Sequence, residues 1–167
     1  LLAVVTIAEP QRTKVPKIGW LGMGTATSNS RFEEFRRALR DLGYAEGKNI
    51  IFEYRSADNK FDRLPQLAEE LVRLKVDLLL TRGTPEAVAL KNATKTIPIV
   101  FYDVTDPVAA GLVDSLAQPG GNVTGSSGVE AVLVGKRLEL LKETIPALSR
   151  VAVLWNPQDL SSAQQWK

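Results

Sequence analysis

Two runs, residues 76–80 and 97–102, are largely apolar and β-rich, and each gives way directly to the start of a helix. A run that is apolar on both faces belongs in the middle of a layered structure, as the strands of a parallel sheet do. The following segments are Thr81-Arg82-Gly83-Thr84-Pro85-Glu86 and Tyr102-Asp103-Val104-Thr105-Asp106-Pro107. Thr84 and Asp106 are residues that cap helices well, and Pro85 and Pro107 fall at the first helical position, where a missing N–H costs nothing. Open parallel sheets bind ligands at the carboxyl ends of their strands, where helix N-termini offer spare N–H groups to polar or anionic ligands. The same residues would serve equally as ordinary caps.

The pattern repeats along the chain. From Lys17 strand and helix alternate at spacings of roughly 25 to 30 residues, as linked right-handed βαβ units do. The first strand is expected at residues 17–21 and is joined by the loop 22–29 to a helix opened by Ser30-Arg31-Phe32-Glu33, a capping box. Phe32, Phe35, Leu39 and Leu42 form that helix's buried stripe, and Gly43 ends it as a left-handed cap. A second strand at 49–54 leads to a helix with Asp62 near its start, Pro65 in its first turn and Leu64, Leu67, Leu71 and Leu74 on one face. The third strand, 76–80, precedes a helix whose small residues, among them Ala87 and Ala93, suit close packing on the sheet. The fourth, 97–102, precedes a helix expected from Asp106 to near Ala117. The turn Gln118-Pro119-Gly120-Gly121 then leads to a fifth strand at 122–125. The fold class is therefore α/β, a doubly wound five-stranded parallel sheet of order 2-1-3-4-5. A longer helix at 129–144 and a sixth strand at 151–155, closed by Asn156-Pro157, would begin a second sheet that the chain leaves unfinished.

Composition removes whole classes of function. With 21 basic and 19 acidic residues the formal charge is +2, and the basic residues are scattered, so nucleic acid is not an expected partner. Arg36, Arg37 and Arg40 do cluster, but Glu33, Glu34 and Asp41 interleave with them as on a solvated helix face. The chain has no cysteine and no histidine. Disulfides, thiolate nucleophiles, the usual zinc sites and imidazole-dependent triads are thereby excluded. The segment Gly125-Ser126-Ser127-Gly128 lacks the spacing of a serine-hydrolase elbow.

Residues 1–8 are apolar, too short to span a bilayer, and followed by a polar stretch. They read as the tail of a secretory signal with Thr6-Ile7-Ala8 as the cleavage site, in competition with a short buried strand. Residues 1–16 are accordingly expected to be a signal remnant and linker, with no cysteine there to carry a lipid anchor.

Three rivals share parts of this pattern. A dinucleotide-dependent enzyme would use Gly22-x-Gly24 and Glu53, but Thr27 stands where the third glycine is needed. A receiver domain needs acids after the first strand to hold a divalent ion, where this chain has Gly22-Met23-Gly24. The ligand-sensing domain of a transcription regulator would have the same fold, and the signal-like segment argues against it.

Taken in order, Lys17-Ile18-Gly19-Trp20-Leu21, Leu42-Gly43-Tyr44, Gly47-Lys48-Asn49-Ile50, Gly83-Thr84-Pro85, Thr105-Asp106-Pro107-Val108, Gly120-Gly121-Asn122-Val123-Thr124-Gly125 and Val151-Ala152-Val153-Leu154-Trp155-Asn156-Pro157 resemble one known family. It is the ABC transporter substrate-binding protein family that includes tryptophan-binding lipoproteins, within the type I periplasmic-binding-protein fold. The resemblance implies a first ligand-binding lobe at residues 17–127, then a crossover helix and the start of a second, truncated lobe at 128–167. It further implies a periplasmic, non-enzymatic solute receptor without a cofactor or metal, closing by a hinge on a small polar solute such as an amino acid. Its macromolecular partners would be the permease subunits of an ABC importer, its only route to the membrane. Combined with the strand-end rule, the resemblance puts Ser28, Asn29, Gly83, Thr84, Thr105 and Asp106 on the ligand face, followed by Ser127 and Asn156. First-turn N–H groups near Thr84 would take a carboxylate and Asp106 an ammonium, with Met23 and Tyr102 as candidate walls.

Overall fold

The structure, a computed structural model, describes residues 14–25, 30–128, 130–154 and 156–157, with no side chain described for residues 30, 31 and 130–132. Its sheet has five parallel strands in the order β2-β1-β3-β4-β5, as the sequence pattern requires. The strands are β1 (Lys17–Gly22), β2 (Ile51–Ser56), β3 (Leu78–Arg82), β4 (Ile99–Val104) and β5 (Val123–Ser127). The helices are α1 (Ser30–Asp41), α2 (Leu64–Arg73), α3 (Thr84–Ala93) and α4 (Glu130–Thr144), with a 3-10 turn at Phe61–Arg63 leading into α2.

Alternation along the strands sorts their side chains onto two faces. On one, Leu21, Leu79, Ile99, Phe101 and Val123 pack with Leu64, Leu67, Ala68 and Leu71 of α2 and with Ala87 and Leu90 of α3. A Cβ on Gly19 would lie 3.0 to 3.2 Å from Leu79, Leu71 and Val76, so α2 rests almost directly on the β1 backbone. On the other face Ile18, Trp20, Ile50 and Leu80 pack with Phe32, Phe35 and Leu39 of α1. The rings of Phe32 and Phe35 meet Trp20 at centroid distances of 4.9 and 5.5 Å. Leu42 departs from the expected stripe: it follows the last turn of α1, beyond the sheet, and stays exposed. Gly43, at φ +88°, ends that helix.

Three other expectations are corrected. Residues 106–117 form a turn at 107–111 followed by bends and irregular chain, not a helix. One helical turn from Asp106 is closed at once by Gly111 at φ +65°, where Leu112 N–H donates to Pro107 O (2.8 Å) and Gly111 N–H to Val108 O (2.9 Å). This pairing is a Schellman closure, and it turns Leu112 and Val113 into the core. Residues 151–154 are not a strand; among the described residues no strand pairs with them, and Leu154 is fully exposed. The helix after β3 is capped by Gly83, not Thr84, because the φ of +90° there admits glycine readily and places Thr84 inside the first turn. The signal-like residues 1–8 lie outside the described residues. No helix among the described residues is long and apolar enough to cross a membrane.

Candidate functional site

A parallel sheet delivers every strand's carboxyl end to one edge, and here that edge carries Gly22, Ser56, Arg82, Val104 and Ser127. Gly83, Thr84, Thr105 and Asp106 follow directly, so the structure brings them and Ser127 to one rim. The residues after β3 and β5 are each stitched to β4: Gly83 N–H donates to Tyr102 O (3.2 Å) and Gly128 N–H to Val104 O (2.8 Å). Ser28 and Asn29 lie outside the described residues. Asn156 follows α4, and no strand of the sheet carries it.

Each rim residue has its own local chemistry. Thr84 is fully buried and its Oγ1 has no hydrogen-bond partner, which costs about 1–3 kcal/mol for a desolvated hydroxyl. Asp106 acts as a cap: its Oδ1 accepts the Ala109 N–H at 2.9 Å. Ser127 is exposed and lines a 240 Å³ hollow between β5 and the turns at 107–119. Met23 is partly buried against the α2/α3 core, and Tyr102 packs on Trp20 at 6.0 Å, so Tyr102 is a core residue first. At the end of β2, hydrogen bonds from Arg63 and then Ser56 hold the Asp58 carboxyl below its ordinary value.

Three rim residues were not singled out by sequence reasoning. Glu86, in the first turn of α3, is buried, and its Oε2 lies against Gly83, where a Cβ would approach it to 3.0 Å. A carboxylate at that place complements the helix dipole and reduces the attraction of α3 for a second anion. Arg82, the last residue of β3, donates from Nε to Oδ2 of Asp103 (2.8 Å), and its Nη2 forms an ion pair with the same oxygen at 2.5 Å. Asp103 adopts φ +59°, and the β4–β5 register shifts between Phe101 and Val104 around it. That backbone conformation costs an Asp on the order of 1 kcal/mol, and a partly exposed ion pair contributes about 0.2–1 kcal/mol, so the two nearly cancel. The available signal was strand polarity, a charged residue at the carboxyl end of β3 and one residue before that of β4, in strands that are otherwise largely apolar. Among the described residues no three acidic side chains gather as a metal site would need.

A family model described as ABC transporter substrate binding protein matches residues 27–167. A tyrosine-binding protein of Clostridioides difficile is 42% identical over 131 residues, which are 78% of this chain and 37% of that protein. A conserved domain protein of Vibrio cholerae superposes with a TM-score of 0.80 at 38% identity, over 90% of this chain and 50% of that one. The ABC domain in complex with L-Trp from Streptococcus pneumonia gives a TM-score of 0.79 at 27% identity, over 91% of this chain and 51% of that one. The chain thus spans half or less of the length of the first relatives it matches.

Proposed function

Because the chain belongs to the ABC transporter substrate-binding protein family, we propose that residues 17–127 form one lobe of a solute receptor that binds a free amino acid, an aromatic one foremost. The observation that carries this reading is the adjacency of the β3–α3 and β4 junctions, which puts Gly83 and Thr84 beside Thr105 and Asp106 on one polar rim. Backbone N–H groups, hydroxyls and charged side chains on a rigid sheet edge can hold a small zwitterion, and nothing among them forms a nucleophile with its base. The relatives named for tyrosine and crystallised with L-Trp support the ligand class.

In this reading residues 128–167 lead into a second lobe, and hinge closure between lobes buries the ligand. Ser28, Asn29, Ser127 and Asn156 complete the ligand face, and the receptor works outside the cytoplasm, handing its ligand to the permease of an ABC importer. It is a binding protein and not an enzyme.

Titration calorimetry of the full-length gene product against the twenty amino acids, small peptides and nucleotides tests this. Saturable binding of L-tyrosine or L-tryptophan is the expected result. Turnover of a nucleotide cofactor without saturable binding of any amino acid would overturn it.

A further inference from the structure

We propose that Arg82 and Asp103 are the charge receptor of this rim, taking the ligand's α-carboxylate and α-ammonium respectively; this rests on the reading of the rim as an amino-acid site. The other charged groups nearby are already committed. Glu86 lies against Gly83 at the α3 N-terminus, and Asp106 caps its own turn through Ala109. The Arg82–Asp103 pair is committed only by half. Nε and Nη2, the two nitrogens on one edge of the guanidinium, both lie on Oδ2. Oδ1 of Asp103 and the Nη1 edge of Arg82 have no partner among the described residues.

The pair therefore offers one unclaimed acceptor and one unclaimed donor edge, the charges that complement a zwitterion. A ligand carboxylate accepts from the guanidinium while the ammonium donates to Oδ1. Because each charge keeps its original partner, neither is stranded as water leaves. The side chains are 44% and 31% exposed, so a ligand can reach them. Placement agrees: Arg82 is in register with Tyr102 and precedes Gly83, and Asp103 lies two residues before Thr105. The left-handed backbone of Asp103 and the register shift beside it are the kind of local strain that persists where it aims a side chain.

The test uses the full-length gene product and calorimetry with three matched ligands: L-tyrosine, tyramine, which lacks the carboxylate, and 3-(4-hydroxyphenyl)propionate, which lacks the ammonium. If the wild type prefers L-tryptophan, the corresponding indole series is used. Arg82→Gln is expected to weaken the amino acid and the propionate by about tenfold or more and to leave tyramine nearly unchanged. Asp103→Asn, which tolerates the left-handed backbone, is expected to weaken the amino acid and the amine and to spare the propionate. Asp103→Gly, which fits that backbone without strain, should reproduce the Asn result if the carboxylate and not the fold is responsible. Equal losses across the three ligands, or no loss, with wild-type amino-acid binding intact would overturn the assignment and leave the proposed function standing. A wild type that binds no amino acid would overturn both.

Discussion

Thr84 combines complete burial with a hydroxyl that has no partner, so its effects on stability and on binding are expected to run in opposite directions. Replacing it by the near-isosteric valine removes the orphan group, and Thr84→Val should raise stability by about 1 kcal/mol in urea unfolding. The same change should weaken amino-acid binding by the full-length protein, since a desolvated hydroxyl on the rim is retained for something other than stability. A lower unfolding midpoint in the variant would count against this account. Gly125 makes the contrary case. A Cβ there would lie 1.9 Å from the Phe101 carbonyl oxygen, so Gly125→Ala must push β5 off β4 and should cost about 1–3 kcal/mol, read from the same melts. Residue types alone pointed to Thr84 and Asp106, since threonine and aspartate before proline look like caps. Only the second is one, because the backbone conformation that moves the cap to Gly83 is invisible in composition.

Among the elements, Asp77 joins the starts of β1 and β3. Its Oδ2 accepts the Lys17 N–H at 2.9 Å, its own N–H donates to Lys17 O at 2.8 Å, and Lys14 pairs with Oδ1 at 2.5 Å. The Lys14 hydrogen bond, followed by that of the Lys17 N–H, holds the Asp77 carboxyl below its ordinary value. A folded pKa below the unfolded one means a contribution present above the unfolded value and lost as pH falls through the folded one. Stability should therefore decline in acid below the ordinary carboxylate range, and Asp77→Asn should flatten that decline in urea melts taken across pH. Added salt should weaken the exposed Lys14 part while sparing the Lys17 backbone bond. The strands and α1 to α3 were legible because period-2 and period-3.6 patterns and glycine and proline punctuation agree. Strand boundaries were displaced: β2, β3 and β4 each begin and end two residues later than expected. Hydrophobicity marks where a strand is buried, whereas the ladder continues into polar residues so long as a neighbour pairs with them. For the same reason Arg82 and Asp103 fall inside strands rather than in the loops where binding residues are usually sought.

At the scale of the molecule, the hydrophobic clusters and the apolar surface divide the chain unequally. Every described buried core residue lies between Ile18 and Val123. Beyond them, Leu133, Leu138, Leu140, Leu141 and Ile145, with Val151, Val153 and Leu154, are exposed. Large apolar side chains exposed in this number drive association once the concentration is high enough. Because none of these side chains supports the sheet, deleting residues 129–167 should leave the unfolding midpoint of the lobe nearly unchanged, within about 0.5 kcal/mol. The 167-residue chain, by contrast, should sediment with an average mass that rises with concentration, and it should bind a hydrophobic dye that the shortened chain does not. Leu138→Glu together with Leu141→Glu should reduce both signals in the 167-residue chain without altering its melt, since charge on an exposed helix opposes association and leaves the core untouched. If the shortened chain instead melted early, α4 would have to be counted as part of the lobe's own stability, and the boundary at residue 127 would move with it.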